Sequence, residues 1–363
     1  MAEAGSNKDL KDPRMSEFND IKKRVRLKDV AKEANLSVSA VSMALKNDTT
    51  MSKATIERVK RIAKEMGYAP DPALSALAAY RNRRKIHTHY SVIGMVTNWS
   101  TRDGWSGKSI QKEVIRGAEK RAVELGYTLQ LFWAKEEGIS GRRFTQILRS
   151  RGIRGLILAP FEHNDDAMDL DWKHFSVVTI SRPSRYTAFH HVVQNHYMDL
   201  LNCWEKLIER GYRRVGLVLQ DEIASRWSYQ WEAAHLVSAK MHALEEHVIP
   251  PLRVRSPNEV REIRKWLREY RPQAVINRCN HFMEAAEAEG ISIPKEMGYV
   301  SLDTGEDAPN AVGIHYRRDA LGAAAVDVLS SLLHRNHTGP LDISVGTQID
   351  GDWQEGDTLP PLV

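Results

Sequence analysis

The sequence predicts a small all-α head joined to a two-lobed α/β body of parallel sheets flanked by helices, and three observations point there. Between residues 25 and 71, apolar residues recur at helical spacing in three short runs. From Ser91 onward, apolar runs of strand length alternate with amphipathic helices, the grammar of βαβ units. That alternation lasts for about 270 residues, more than one typical core encloses, so it should divide into two lobes.

Taken in order, residues 1–24 are polar and mixed in charge and have no apolar period, so they are expected to form a flexible tail, with Met15 an alternative start to Met1. Leu27, Val30, Ala31 and Ala34 then share one helix face. Asn35-Leu36-Ser37 interrupts the run: Asn35 tolerates a left-handed backbone, and Ser37 is placed to cap a second helix, whose run begins with Val38, Val41, Ala44 and Leu45. Ser52 opens a third helix with Ile56, Val59, Ile62, Ala63 and Met66 inward, and Gly67 closes it. The head is therefore set at 25–71. Residues 73–80 suit a short helix that needs a partner to order it, so 72–89 reads as hinge and linker and 90–363 as the body. In the body, strands are expected near 92–96, 128–132, 155–159, 177–180, 215–219, 274–276 and 299–302. Helices are expected near 110–125, 142–149, 197–210, 227–244 and 258–270. Gly126-Tyr127-Thr128 and Gly211-Tyr212-Arg213 each close a helix and open a strand, a hint of internal duplication. A cleft between two such lobes is a natural ligand site.

Composition excludes several classes. A chain of 363 residues with 42% hydrophobic content can bury real cores, which excludes global disorder. No run approaches the roughly 18–20 apolar residues of a membrane helix, and the mean hydropathy is −0.46, so no membrane partner is expected. The polar start lacks an apolar segment behind a basic one, so no secretory signal and a cytoplasmic location are expected. Cys203 and Cys279 stand alone, fit a reducing compartment and read as buried small hydrophobes. The fourteen histidines show no HxxxH or HExxH spacing, so neither metal nor cofactor is expected.

Charge points to a partner. Residues 1–90 carry 19 Lys/Arg against 11 Asp/Glu, or +8, whereas the rest carries 33 against 36, or −3. Within 22–85 the balance is 16 against 6, or +10. A basic module on a near-neutral body suits a polyanion, because each neutralised phosphate releases condensed counterions; a merely solvated basic face is the alternative on charge alone. Two short helices across a tight turn, with exposed positions early in the second, also meet the demands of helix-turn-helix reading of a major groove.

The residues themselves carry a resemblance. Arg26-Leu27-Lys28-Asp29-Val30-Ala31, Leu36-Ser37, Val41-Ser42, the run Ser52-Lys53-Ala54-Thr55-Ile56-Glu57-Arg58-Val59 and Gly67-Tyr68-Ala69-Pro70-Asp71 resemble the N-terminal signature of the lactose-repressor (LacI/GalR) family of bacterial transcription regulators. The likeness extends through Val92-Ile93-Gly94-Met95-Val96, Arg154-Gly155-Leu156-Ile157-Leu158, Gly211-Tyr212-Arg213-Arg214-Val215-Gly216 and Gly298-Tyr299-Val300-Ser301-Leu302-Asp303, nearly the whole chain from about residue 25. It implies a periplasmic-binding-protein-like body and a homodimeric repressor on a pseudo-palindromic double-stranded DNA operator, answering to a small-molecule effector such as a carbohydrate; tetramers are left open. Val38, Ser39 and Met43 take the places that read base edges, and Ser37 and Ser42 those that touch phosphates. Leu77 matches the hinge leucine that wedges a minor-groove step, with an ordinary apolar contact as the alternative. Val38 and Met43 depart from the family's polar readers and can make no bidentate bonds to bases, so phosphate contacts from Lys28, Lys46, Lys53 and Arg58, followed by Arg81, Arg83 and Arg84, should matter more.

For the cleft, the resemblance assigns Arg226 and Asp303 to the effector, with Trp227-Ser228-Tyr229 standing where the family usually has a glycine. Asn195-His196 replaces an Asp-Asn pair and removes a carboxylate acceptor, which suggests an atypical effector. Asn277 or Asn280 would supply a further polar contact. Asn98, Trp99 and Trp105 follow the first strand, where tryptophan faces and polar neighbours suit a sugar; packing against a helix fits Trp99 and Trp105 equally well. Nothing reads as catalytic: GxSxG, a P-loop and GxGxxG after a strand are all lacking. A two-lobed binding protein without gene regulation is disfavoured by the basic head, and a ligand-independent architectural DNA binder by the large body.

Overall fold

The computed structural model describes residues 25–45, 51–68, 91–105, 109–137, 139–163, 166–182, 184–186, 188–242, 248–255, 259–305 and 310–362. They form two compact units, a head and a body.

The head has three helices, α1 (Leu27–Glu33), α2 (Val38–Leu45) and α3 (Lys53–Glu65). Each start is fixed by a side chain that takes an unpaired helix N–H or its neighbour: Asp29 accepts from the Arg26 N–H at 2.8 Å, Ser37 Oγ from the Ala40 N–H at 3.1 Å and Ser52 Oγ from the Thr55 N–H at 3.2 Å. Asn35 takes φ 52° in the turn, as its type allows. Val30, Ala31, Ala34, Val41, Ala44, Ile56, Val59 and Ala63 close the core. Four of those eight are alanines, so the helices approach closely and α2 is held rigidly from behind.

The body holds two six-stranded sheets. In the first lobe β1 (Ser91–Thr97), β2 (Tyr127–Trp133), β3 (Gly155–Leu158), β4 (Ser176–Ile180), β5 (His190–Gln194) and β11 (Gly346–Ile349) run parallel in the order β11-β5-β4-β3-β1-β2. The second contains β6 (Val215–Gln220), β7 (Leu252–Val254), β8 (Ala274–Arg278), β9 (Gly298–Ser301), β10 (Val312–His315) and β12 (Asp352–Gln354), ordered β12-β10-β9-β8-β6-β7 with only β12 antiparallel. Every residue of β3 and β4 is buried, as strands covered on both faces by helices must be. The helices are α4 (Ser109–Glu124), α5 (Gly141–Ser150), α6 (His196–Glu209), α7 (Asp221–Arg226), α8 (Gln230–His242), α9 (Glu259–Tyr270), α10 (Phe282–Ala288) and α11 (Arg318–His334).

The chain passes between lobes at Asn195, at Tyr316-Arg317 and at Asp350-Gly351, and these crossings are tied together. Asn195 donates Nδ2–H to Asp350 at 2.7 Å and its N–H to the Ile349 carbonyl at 2.9 Å, while Gly351 N–H bonds Asp199 at 2.8 Å. In the first lobe α4 and α11 touch backbone to backbone. A Cβ on Gly117 would lie 2.0 Å from the Asp319 carbonyl oxygen, and one on Gly322 would lie 2.0 Å from that of Val114.

The helix expected over 227–244 begins only at Gln230, because Ser228 and Tyr229 take φ 54° and 56°, and the short α7 before that turn was not expected. Trp227, just before Ser228, turns onto His196 with ring centroids 4.6 Å apart. The two Gly-Tyr segments also differ: β2 starts directly at Tyr127, whereas β6 starts only at Val215.

Candidate functional site

Two places gather the singled-out residues. On the head, Val38 and Met43 are 47% and 38% exposed on α2, whereas Val41 and Ala44 are buried. Ser39 is exposed beside them and Ser42 half-buried. Ser37 and Ser39 share a hydroxyl–hydroxyl bond of 2.9 Å, so the Ser37 oxygen both caps α2 and is linked to an outward-facing neighbour. Lys28, Lys53 and Arg58 are exposed and form no ion pair with another described residue. Leu77, Lys46, Arg81, Arg83 and Arg84 lie outside the described residues.

In the body, the chain order reverses at β1/β3 in one sheet and at β6/β8 in the other. Ligands of such sheets bind beyond the strand C-termini at these switch points. The end of α7, which follows β6 directly, reaches the loop after β3: Arg226 donates Nη1–H to the Phe161 carbonyl at 3.0 Å and Nη2–H to the Glu162 carbonyl at 2.6 Å. Asp303, just past β9, accepts from Arg318 Nη2 at 2.5 Å on one oxygen and from Arg278 Nη2 at 3.1 Å on the other. Arg318 opens α11, whose body packs in the first lobe, so this pair also joins the lobes. Its guanidinium lies 5.6 Å from the Tyr316 ring centroid.

The remaining expected cleft residues separate. Trp105 is buried in the first-lobe core with Ile93 and Met95, so packing is its role. Trp99 is half-buried and donates Nε1–H to the Pro160 carbonyl at 2.8 Å, at the switch point. Asn98 is buried at the end of β1, its amide directed to Asp166 at 3.4 Å and its Oδ1 without a hydrogen-bond partner. Asn195 caps α6 and braces a crossing. Asn277 is committed internally: its amide nitrogen donates to the Cys279 carbonyl and the Tyr299 hydroxyl at 3.0 and 3.1 Å, and its oxygen accepts from the Cys279 N–H. Asn280 is exposed just beyond.

His196, beside Asn195, lies among Trp227, Trp231 and Tyr316, with Nδ1 3.0 Å from the Tyr316 hydroxyl and Nε2 unpartnered. Burial pushes its pKa down to about 3, with Arg278 adding to the fall, so the ring is neutral. One turn on, burial raises the Asp199 carboxyl to about 7 against the opposing Gly351 N–H bond. Both cysteines are free and buried, and burial pushes the Cys279 thiol up to about 11 and that of Cys203 higher still. Among the described residues no cluster of His, Cys, Asp or Glu could hold a metal, and no helix is long and apolar enough to cross a membrane.

Sequence reasoning missed Arg278, Arg318 and Tyr316. A signal existed: Arg278 ends the apolar β8 run, and Tyr316 and Arg318 follow the β10 run, the strand-end positions that line such clefts.

Residues 26–71 match the pattern "Bacterial regulatory proteins, lacI family", and residues 204–350 match "Periplasmic binding protein-like domain". The chain is 23% identical over 323 residues to the HTH-type transcriptional repressor PurR of Klebsiella pneumoniae (strain 342), covering 84% of this chain and 89% of that one. It is 26% identical over 325 residues to the ribose operon repressor of Escherichia coli (strain K12), covering 85% and 92%. Among solved structures, a transcriptional regulator CelR–cellobiose complex superposes with a TM-score of 0.55 at 18% identity, covering 92% of this chain and all of that one. The lac repressor dimer bound to operator and the anti-inducer ONPF does so with a TM-score of 0.53 at 18% identity, covering 93% and 99%.

Proposed function

We propose that this chain, whose residues 26–71 match the lacI family of bacterial regulatory proteins, is a transcription repressor that binds a pseudo-palindromic operator as a homodimer and is modulated by a small-molecule effector in the cleft. The single observation that carries the reading is the division of labour along the chain. A basic head presents a capped α2 with exposed Val38, Ser39 and Met43, and in the two-sheet body Arg226, at the end of the helix after β6, bonds the loop after β3, beside the two switch points. Val38 and Met43 pack on thymine methyls; Ser37, Ser42, Lys28, Lys53 and Arg58 hold the backbone. Shape and phosphate contacts therefore provide a larger share of the affinity than base-edge bonds. Residues 25–71 serve as the reading head, 72–89 as hinge and linker and 90–363 as the effector-binding and dimerisation body. Exposed apolar Val123 and Leu131, on α4 and the edge strand β2, are available for pairing with a second copy.

The protein works in the cytoplasm and catalyses no reaction. Effector binding changes the relation of the lobes and so the spacing of the two hinges, a coupling between distinct sites. The reading is tested by comparing duplex affinity of the full chain with that of a truncation beginning at Ser91. A large loss on truncation is expected, and equal affinity ends the proposal.

A further inference from the structure

The cleft contains more positive charge than its buried acid balances. Arg226 reaches it from the end of α7, and Arg278 and Arg318, at the end of β8 and the start of α11, share one buried acid, Asp303. The side chains of Arg318, Asp303 and Arg278 are 7%, 9% and 27% exposed, so this triad of formal charge +1 is largely withdrawn from water. A guanidinium has five N–H donors, and each of these two gives one nitrogen to the carboxylate. The next acid, Glu113 on α4, lies 3.9 Å from Arg318 Nη1, beyond hydrogen-bond range, and is 35% exposed. Arg226 meets two backbone carbonyls, and its acid partner, Glu222, is 3.6 Å away and 79% exposed. A guanidinium taken out of water without a matching charge is costly unless its remaining donors find acceptors, and its planar fork fits the paired oxygens of a carboxylate or phosphate.

We propose that the effector of this chain is an anion, a small molecule with a carboxylate or phosphate group, bound by the open N–H edges of Arg278 and Arg318. Asp303 holds the two guanidiniums in place, giving one oxygen to each. The inference rests on the reading of the cleft as the effector site.

The test is calorimetric titration of the full-length chain at fixed ionic strength with matched sets: glucose, glucose 6-phosphate and glucuronate, then ribose, ribose 5-phosphate and ribonate. At least one charged member should bind tenfold or more tightly than its neutral parent, and the phosphate and carboxylate members tell which anion is taken. Arg318→Met should weaken that binding at least tenfold while retaining the melting transition. If that variant does not fold, Arg278→Met, at the more exposed guanidinium, should give the same loss. A neutral parent binding as well as its charged partners, no charged member binding, or undiminished binding in the folded variant overturns the proposal. Selection of duplex DNA with the same preparation separates the two readings. A chain that selects an operator but prefers no anion refutes only this inference, and one that binds the anion but selects no DNA refutes the regulatory reading.

Discussion

Replacing Asp303 by asparagine removes the carboxylate that two guanidiniums share while keeping nearly the same shape. One oxygen remains to accept an N–H, so the loss is the negative charge and one charge-assisted bond. Such a bond contributes about 1.5–3 kcal/mol, and deleting one partner of a buried ion pair costs about 3–5 kcal/mol, much of it from the cation left behind. Asp303 and Arg318 are near the buried end of that range and Arg278 is partly screened. The expected destabilisation is therefore about 3 kcal/mol, roughly a hundredfold in the unfolding constant. Urea unfolding followed by tryptophan fluorescence measures it on the wild type, Asp303→Asn, Arg318→Met and the double variant. The double variant should cost at least about 1 kcal/mol less than the sum of the singles, because removing Arg318 relieves the uncompensated charge. A single variant within about 0.5 kcal/mol of wild type, or additive singles, would refute the buried-triad reasoning.

Three other outcomes follow from particular contacts. Gly322→Ala should destabilise the body by about 1–3 kcal/mol or more in the same titration, since its Cβ would meet the Val114 carbonyl and the α4–α11 crossing must open; an unchanged midpoint contradicts the close crossing. Ser37→Ala should cost the head about 1 kcal/mol and weaken duplex binding, with Ser37→Asp preserving the cap but losing DNA affinity by charge; equal binding by all three proteins would remove Ser37 from both roles. Stability against pH should show opposed slopes. His196 and His235 have folded pKa values lowered to about 3 and 4, so their stabilisation is present above about 6.5 and lost as pH falls through the folded values. The Asp199 value is raised to about 7, so its stabilisation is present below about 3.9 and lost as pH rises through 7. Asp199→Asn should therefore steepen the gain in stability between pH 4 and 6.5 in chemical denaturation series at fixed ionic strength, and an unaltered profile would show that Asp199 is not buried as a carboxylic acid.

Much of the architecture was legible because local chemistry and global fold agree. Asn35, Ser37 and Ser52 mark the head's turn and helix starts by backbone preference and capping alone, and the structure uses each in that way. The strand runs at 155–159 and 177–180 announce themselves because parallel strands are buried on both faces. The late start of α8 at Gln230 was illegible: neither Ser228 nor Tyr229 is a glycine, yet both take positive φ beside Trp227, which packs on His196. In the cleft, residue type outlined the site but could not assign partners. Asn277 and Asn195 look like ligand contacts in sequence, yet one gives its hydrogen bonds to Cys279 and Tyr299 and the other braces a crossing. Asp303 was visible, whereas the two arginines that hold it come from segments 25 residues before and 15 after it, and only folding brings them together.

The measurement that bears most directly on the account is selection of duplexes from a random DNA pool by the full-length chain, followed by titration of the winner between about 50 and 200 mM salt. The winner should be an inverted repeat, one half-site per head, with affinity falling steeply as salt rises. Absence of enrichment, enrichment without a repeat, or salt-insensitive binding would contradict it.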